Sequence, residues 1–151
     1  MINFREHPIF VYKSIIKKTS LNDVELEFSR YVYRVQGVTD KRDIIKIPAE
    51  KLSEKWLIDM ISTLSNTEEF ACHSRLLVGG DAMHVPFIDF LVTEIKEIPK
   101  DALDLISRTL NCRLFVFSSG TSYHGYFDTI VSKEYWHCFL GEMLLLNNSP
   151  R

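Results

Sequence analysis

After the apolar run Leu114-Phe115-Val116-Phe117 the chain reads Ser118-Ser119-Gly120-Thr121-Ser122-Tyr123-His124-Gly125-Tyr126. Small hydroxylated residues and a glycine allow a tight turn, and successive backbone N–H groups in such a turn form a concave cradle for an anion. Side chains alternate along a strand, so Ser122, His124 and Tyr126 share one face while Tyr123, Gly125 and Phe127 share the other. An imidazole on the polar face adds a donor able to carry charge near neutral pH. Ser118, Ser119, Gly120, Ser122 and His124 are therefore candidate phosphate contacts. The same residues also compose an ordinary hairpin turn, so the turn alone decides nothing.

Asp89 interrupts Val85-Pro86-Phe87-Ile88-Asp89-Phe90-Leu91-Val92. Aspartate is a poor strand residue, and burying its charge unpaired costs several kcal/mol or forces it to protonate. The residue is expected to face an open side or to meet a cation: a divalent metal, Arg75, or His124 itself. Asp89 and His124 are the candidate catalytic pair, Asp89 the candidate metal ligand, and Arg75 joins the candidate phosphate contacts.

These residues need elements to hold them. In the first third, "IFVYKSII", "ELEFSRYVYRVQG" and "DIIKIP" have the β-branched and aromatic content of strands, the second closing at Gly37. Pro48 suits a first helical turn, and Ala49, Leu52, Trp56, Leu57, Met60, Ile61 and Leu64 recur at three- and four-residue steps. "FACHSRLLV" and "HVPFIDFLV" read as strands of a hairpin joined around Gly79-Gly80-Asp81. A helix from about Pro99 turns Ala102, Leu103, Ile106 and Leu110 inward, "CRLFVF" and "SYHGYF" are two more strands, and Ser132 caps a last helix carrying Trp136, Phe139, Leu140, Met143 and Leu144. The order predicts an α+β domain, a largely antiparallel sheet with helices mainly on one face. No linker or repeat divides it, so residues 1–151 are expected to form one domain, strand-rich to residue 47 and a βα core from 48.

Composition narrows the partners. The net charge of −2 argues against a protein that coats nucleic acid by charge alone, so a polyanion needs a local basic site. Lys13 with Lys17 and Lys18, Arg30 with Arg34, and Lys41 with Arg42 are the candidate clusters. Cys72, Cys112 and Cys138 are odd in number and lack C-x-x-C spacing, which suits reduced core thiols better than disulfides or zinc. With no stretch of 18 apolar residues and no secretory leader pattern, a cytoplasmic protein without membrane contact is expected.

"SGTSYH", Ser119 to His124, resembles the S-G-x-S-x-H form of the second motif of the archaeo-eukaryotic primase (primase-polymerase) superfamily, and the apolar strand bearing Asp89 lies where that family's first acidic motif belongs. The resemblance covers roughly residues 70 to 147. It implies an RRM-like core that binds a nucleoside triphosphate, with Asp89 on Mg²⁺ or Mn²⁺ and with Ser119, Ser122 and His124 on the phosphates. By the same resemblance, single-stranded nucleic acid or template DNA would be partners, and DNA replication the setting. Two departures stand out. The first motif usually reads Asp-hydrophobic-Asp, whereas Leu91 occupies the second acidic position and Glu94 falls on the opposite face of an unbroken strand. The third motif should be acidic and lie on a strand beyond the final helix; Asp128 comes too early, and the sequence stops at Arg151.

Three functions compete. A nucleotide- or nucleic-acid-binding module that lacks a full catalytic set is favoured, because two-metal phosphoryl transfer needs carboxylates on both ions. The alternatives are an active metal-dependent primase or nucleotidyltransferase within a longer parent protein, and a non-catalytic module for a protein partner.

Overall fold

The computed structural model describes residues 7–32, 41–90, 92, 94–119 and 122–146. Its first element corrects the sequence reading: "IFVYKSII" belongs to helix α1, Ile9–Thr19, and not to a strand. Spacing outweighed β-branched content. Ile9, Tyr12 and Ile15 recur every third residue and are all buried on one side, Pro8 opens the helix, and Lys17 and Lys18 sit where the helix dipole favours cations.

Strands β1 (Val24–Val32) and β2 (Arg42–Pro48) match the next two expectations, although the part of the first that was to run to Gly37 lies outside the described residues. Pro48 does not start a helix. It ends β2 and leads a single 3₁₀ turn, and α2 (Glu54–Ser62) starts only after Ser53, whose Oγ accepts the Trp56 N–H at 3.1 Å. Strand β3 (Glu68–Val78) returns through Gly79-Gly80 into β4 (Asp81–His84). Both glycines have positive φ, 56° and 92°, as a two-residue hairpin loop of this kind requires.

"HVPFIDFLV" is not one strand. Val85 N–H still bonds the Ser74 carbonyl beside β3, whereas the Pro86 carbonyl accepts from Phe127 N–H in another sheet. Proline lacks the donor that would continue a ladder, so the chain changes sheets there. Strand β5 (Phe87–Phe90) then pairs with β7 (Tyr123–Phe127), which also pairs with β6 (Leu114–Ser118). Helix α3 (Lys100–Thr109) precedes β6; the short β8 (Val131–Ser132) and helix α4 (Lys133–Leu146) follow β7.

The protein is α+β, with a five-stranded sheet ordered β2-β1-β3-β4-β8 and a three-stranded sheet ordered β5-β7-β6, every pairing antiparallel. Two apolar clusters hold it. One gathers Ile9, Tyr12 and Ile15 of α1, Leu26 and Phe28 of β1 and Leu57 of α2, with Tyr126 reaching in from β7. The other packs Ile88, Phe90 and Phe127 of the smaller sheet on Leu103 of α3 and on Phe139 and Met143 of α4. The expected inner stripe of α4 is only partly realised, since Leu140 and Leu144 are exposed. The small sheet is thus covered on both faces. Asp128, fully buried just past β7, clamps the assembly: it takes two bonds from the Arg113 guanidinium at 2.8 and 3.0 Å and one from Arg113 N–H at 2.6 Å, while Lys18 of α1 stands 3.6 Å away. A buried carboxylate demands such compensation.

Candidate functional site

Antiparallel register sets Asp89 of β5 directly opposite His124 of β7, and Phe117 of β6 opposite His124 on its other side. His124 Nδ1 lies 2.5 Å from Asp89 Oδ1. The side chains are 31% and 61% exposed respectively, so this is an accessible pair and not a buried clamp. With the proton on Nδ1 donated to the carboxylate, Nε2 is left as the outward nitrogen. Of the partners anticipated for Asp89, the structure supplies His124.

Ser118 and Ser119, at the end of β6, lie beside this pair. Ser119 N–H bonds the Ser122 carbonyl at 2.9 Å, and the two hydroxyls are 2.8 Å apart. Ser118 stands opposite Tyr123 at the end of the ladder. Gly120 lies outside the described residues, as do Leu91 and Arg34. Tyr126 and Phe127 are buried, and Tyr123 packs against the second apolar cluster.

Asp89, His124, Ser118 and Ser119 line a pocket of about 550 Å³ between the two sheets. Its floor includes Phe87, Tyr126 and Cys72. Burial pushes the Cys72 thiol up to about 12, and burial, then Cys72 and Asp89, raise the Tyr126 phenol well above its ordinary range. Both floor groups are therefore neutral. The wall from the larger sheet comprises Tyr31, Arg42 and Glu69, with His7 and Pro8 at the entrance to α1. Among these, only Arg42 figured in the sequence reading, as half of a basic cluster. Tyr31 and Glu69 were missed because their presence depends on the pairing of β1 with β2 and β3, and His7 because it depends on how α1 packs; neither leaves a local pattern.

Other residues lie elsewhere. Ser122 bonds to Ser119 without lining the pocket. Arg75 Nη1 pairs with Glu27 at 3.1 Å and lines a smaller neighbouring depression. Glu94 caps a 3₁₀ turn with Glu97 and pairs with Lys96 at 2.6 Å, away from Asp89's pocket. His73 bonds Glu27 and Ser29. Among the described residues, no three His, Cys, Asp or Glu side chains gather as a metal group would need.

The sequence model of the archaeo-eukaryotic primase 1D-like family matches residues 48–148, about two thirds of the chain. This chain belongs to that family. No curated protein and no solved structure gives a significant match. The primase-like segment contains Asp89, the Ser118–His124 stretch and Glu69, whereas His7, Tyr31 and Arg42 precede it. No helix among the described residues of this primase-like domain is long and apolar enough to cross a membrane.

Proposed function

We propose that this primase-like domain binds the phosphates of a nucleoside triphosphate, or of a nucleic-acid end, in the pocket between its sheets, and that it acts as a binding module and not as a two-ion polymerase. The observation that carries the reading is the hydrogen-bonded Asp89–His124 pair beside the Ser118-Ser119 turn. Ser118, Ser119 and His124 share one space, and once the imidazole is protonated its Nε2–H becomes a charged donor that suits phosphate oxygens. Asp89 fixes the imidazole and brings one carboxylate. That suits a single Mg²⁺ or Mn²⁺, which keeps several waters and takes ligands from the nucleotide itself. It does not suit two ions, each of which needs protein carboxylates, because the pocket's other carboxylate, Glu69, belongs to the opposite sheet and is engaged by Tyr31 OH.

Family membership favours one further reading, in which the same pocket serves a metal-dependent primase or nucleotidyltransferase within a longer protein. Calorimetric titration with ATP in Mn²⁺ and then in EDTA, for wild type beside His124→Ala, tests the pocket. Binding weakened about tenfold or more by the substitution supports it, one charge-assisted bond being worth roughly that factor. A folded wild type that binds no nucleotide in either condition refutes it. Primer synthesis by the chain with Mn²⁺ would favour the enzymatic reading over the module.

A further inference from the structure

Arg42, Tyr31 and Glu69 form a row across three adjacent strands. Tyr31 stands opposite Arg42 on one side and opposite Glu69 on the other. Tyr31 OH donates to Glu69 Oε2 at 3.0 Å, and the Arg42 guanidinium carbon lies 4.4 Å from the centre of the Tyr31 ring. All three line the pocket that holds Asp89, His124, Ser118 and Ser119.

We infer that Arg42 is the cationic phosphate contact of the pocket, set in place by the Tyr31 ring, and that the segment preceding the primase-like match therefore completes the ligand site. This rests on the nucleotide-pocket reading and deepens it. A guanidinium seated on an aromatic face is pre-oriented, loses less freedom on binding, and offers a planar fork that fits two phosphate oxygens. The Glu69 bond holds the ring from behind through its hydroxyl, so the row works as a brace with its charged end at the pocket. Arg75, the arginine expected from the sequence to meet phosphate, is paired with Glu27. Arg42 shares the pocket with the serine turn, which Arg75 does not. The ligand class follows: a polyphosphate chain spanning the seam, with the small sheet's donors on one side and Arg42 on the other.

The test titrates ATP and inorganic tripolyphosphate into wild type, Arg42→Ala, Arg42→Lys, His124→Ala and Lys46→Ala, each checked for folding by circular dichroism. Lys46 lies on the same strand, pairs with Glu25 and does not line the pocket, so its loss removes equal charge from outside the site. Arg42→Ala is expected to weaken both ligands about tenfold or more, Arg42→Lys to recover only part of that, and Lys46→Ala to stay within about twofold. If Arg42→Ala binds like wild type, or Lys46→Ala loses as much, the inference is overturned while a loss in His124→Ala leaves the pocket standing. If wild type binds neither ligand, both the pocket and the inference fall.

Discussion

Asp89 and His124 occupy directly opposed positions on antiparallel strands, and their side chains meet at 2.5 Å on the pocket side of the sheet. A carboxylate accepting from Nδ1 fixes which nitrogen faces outward, so Asp89 governs the site partly through its neighbour.

The two residues are expected to differ in their response to metal. Asp89→Asn removes negative charge that opposes phosphate, and its amide can donate to Nδ1, transferring the outward proton to Nε2. In EDTA this variant is expected to bind ATP as well as wild type or better; in Mn²⁺ it should lose any gain that the ion gave. His124→Ala should weaken binding in both. Calorimetry of the two variants in the two buffers checks this, and equal losses for both variants in both buffers would show that Asp89 only shapes the site.

Gly125 sits between the two pocket residues His124 and Tyr126, opposite Ile88 and Val116. A Cβ there would meet Phe90 at 2.9 Å, Leu114 at 3.1 Å and Ile88 at 3.2 Å. Overfilling a packed core forces side chains off their rotamers, so Gly125→Ala should destabilise the domain by about 1–3 kcal/mol. Urea unfolding measures it. Phe90→Leu alongside should relieve part of the loss if the ring is the obstacle.

Acid should weaken the fold through two histidines. His7 is held below its ordinary range by burial; His84 is lowered by burial first and then by Arg75, His137 and Lys133. Both Nδ1 atoms are engaged, His7 accepting Ile9 N–H at 3.2 Å and His84 lying 3.1 Å from Ser74 Oγ. Because the unfolded chain takes up protons near 6.5 and the folded chain only at lower pH, their contribution is fully present above 6.5 and drains away as pH falls through it. Urea midpoints should drop between pH 7.5 and 5.5, and His84→Gln should shrink the drop. An unchanged drop would place the acid sensitivity elsewhere.

The half of the candidate site carried by the smaller sheet was legible in the sequence because strand rhythm is local. Period-two alternation put His124 on the polar face, and an acid inside an apolar run marked Asp89. The other half was not. Tyr31, Arg42 and Glu69 converge only through the registers of β1 with β2 and β3, which a turn or a bulge resets; β1 and β3 do shift register between Leu26 and Phe28. Helix α1 was misread because Ile9, Val11, Tyr12, Ile15 and Ile16 have β-forming side chains, and the burial of one helical side overrode that preference. Val85-Pro86 was read through as strand, although the proline marked the place where the chain changes sheets.

That change of sheets affects how the pocket can evolve. Among the described residues no ladder of backbone bonds joins its two walls, which belong to different sheets. The gap between them is set by the side chains of Phe87, Phe115, Phe117 and Tyr126 resting on the first apolar cluster. Single changes in the bulk of those rings are expected to widen or narrow the cleft without breaking a strand pair.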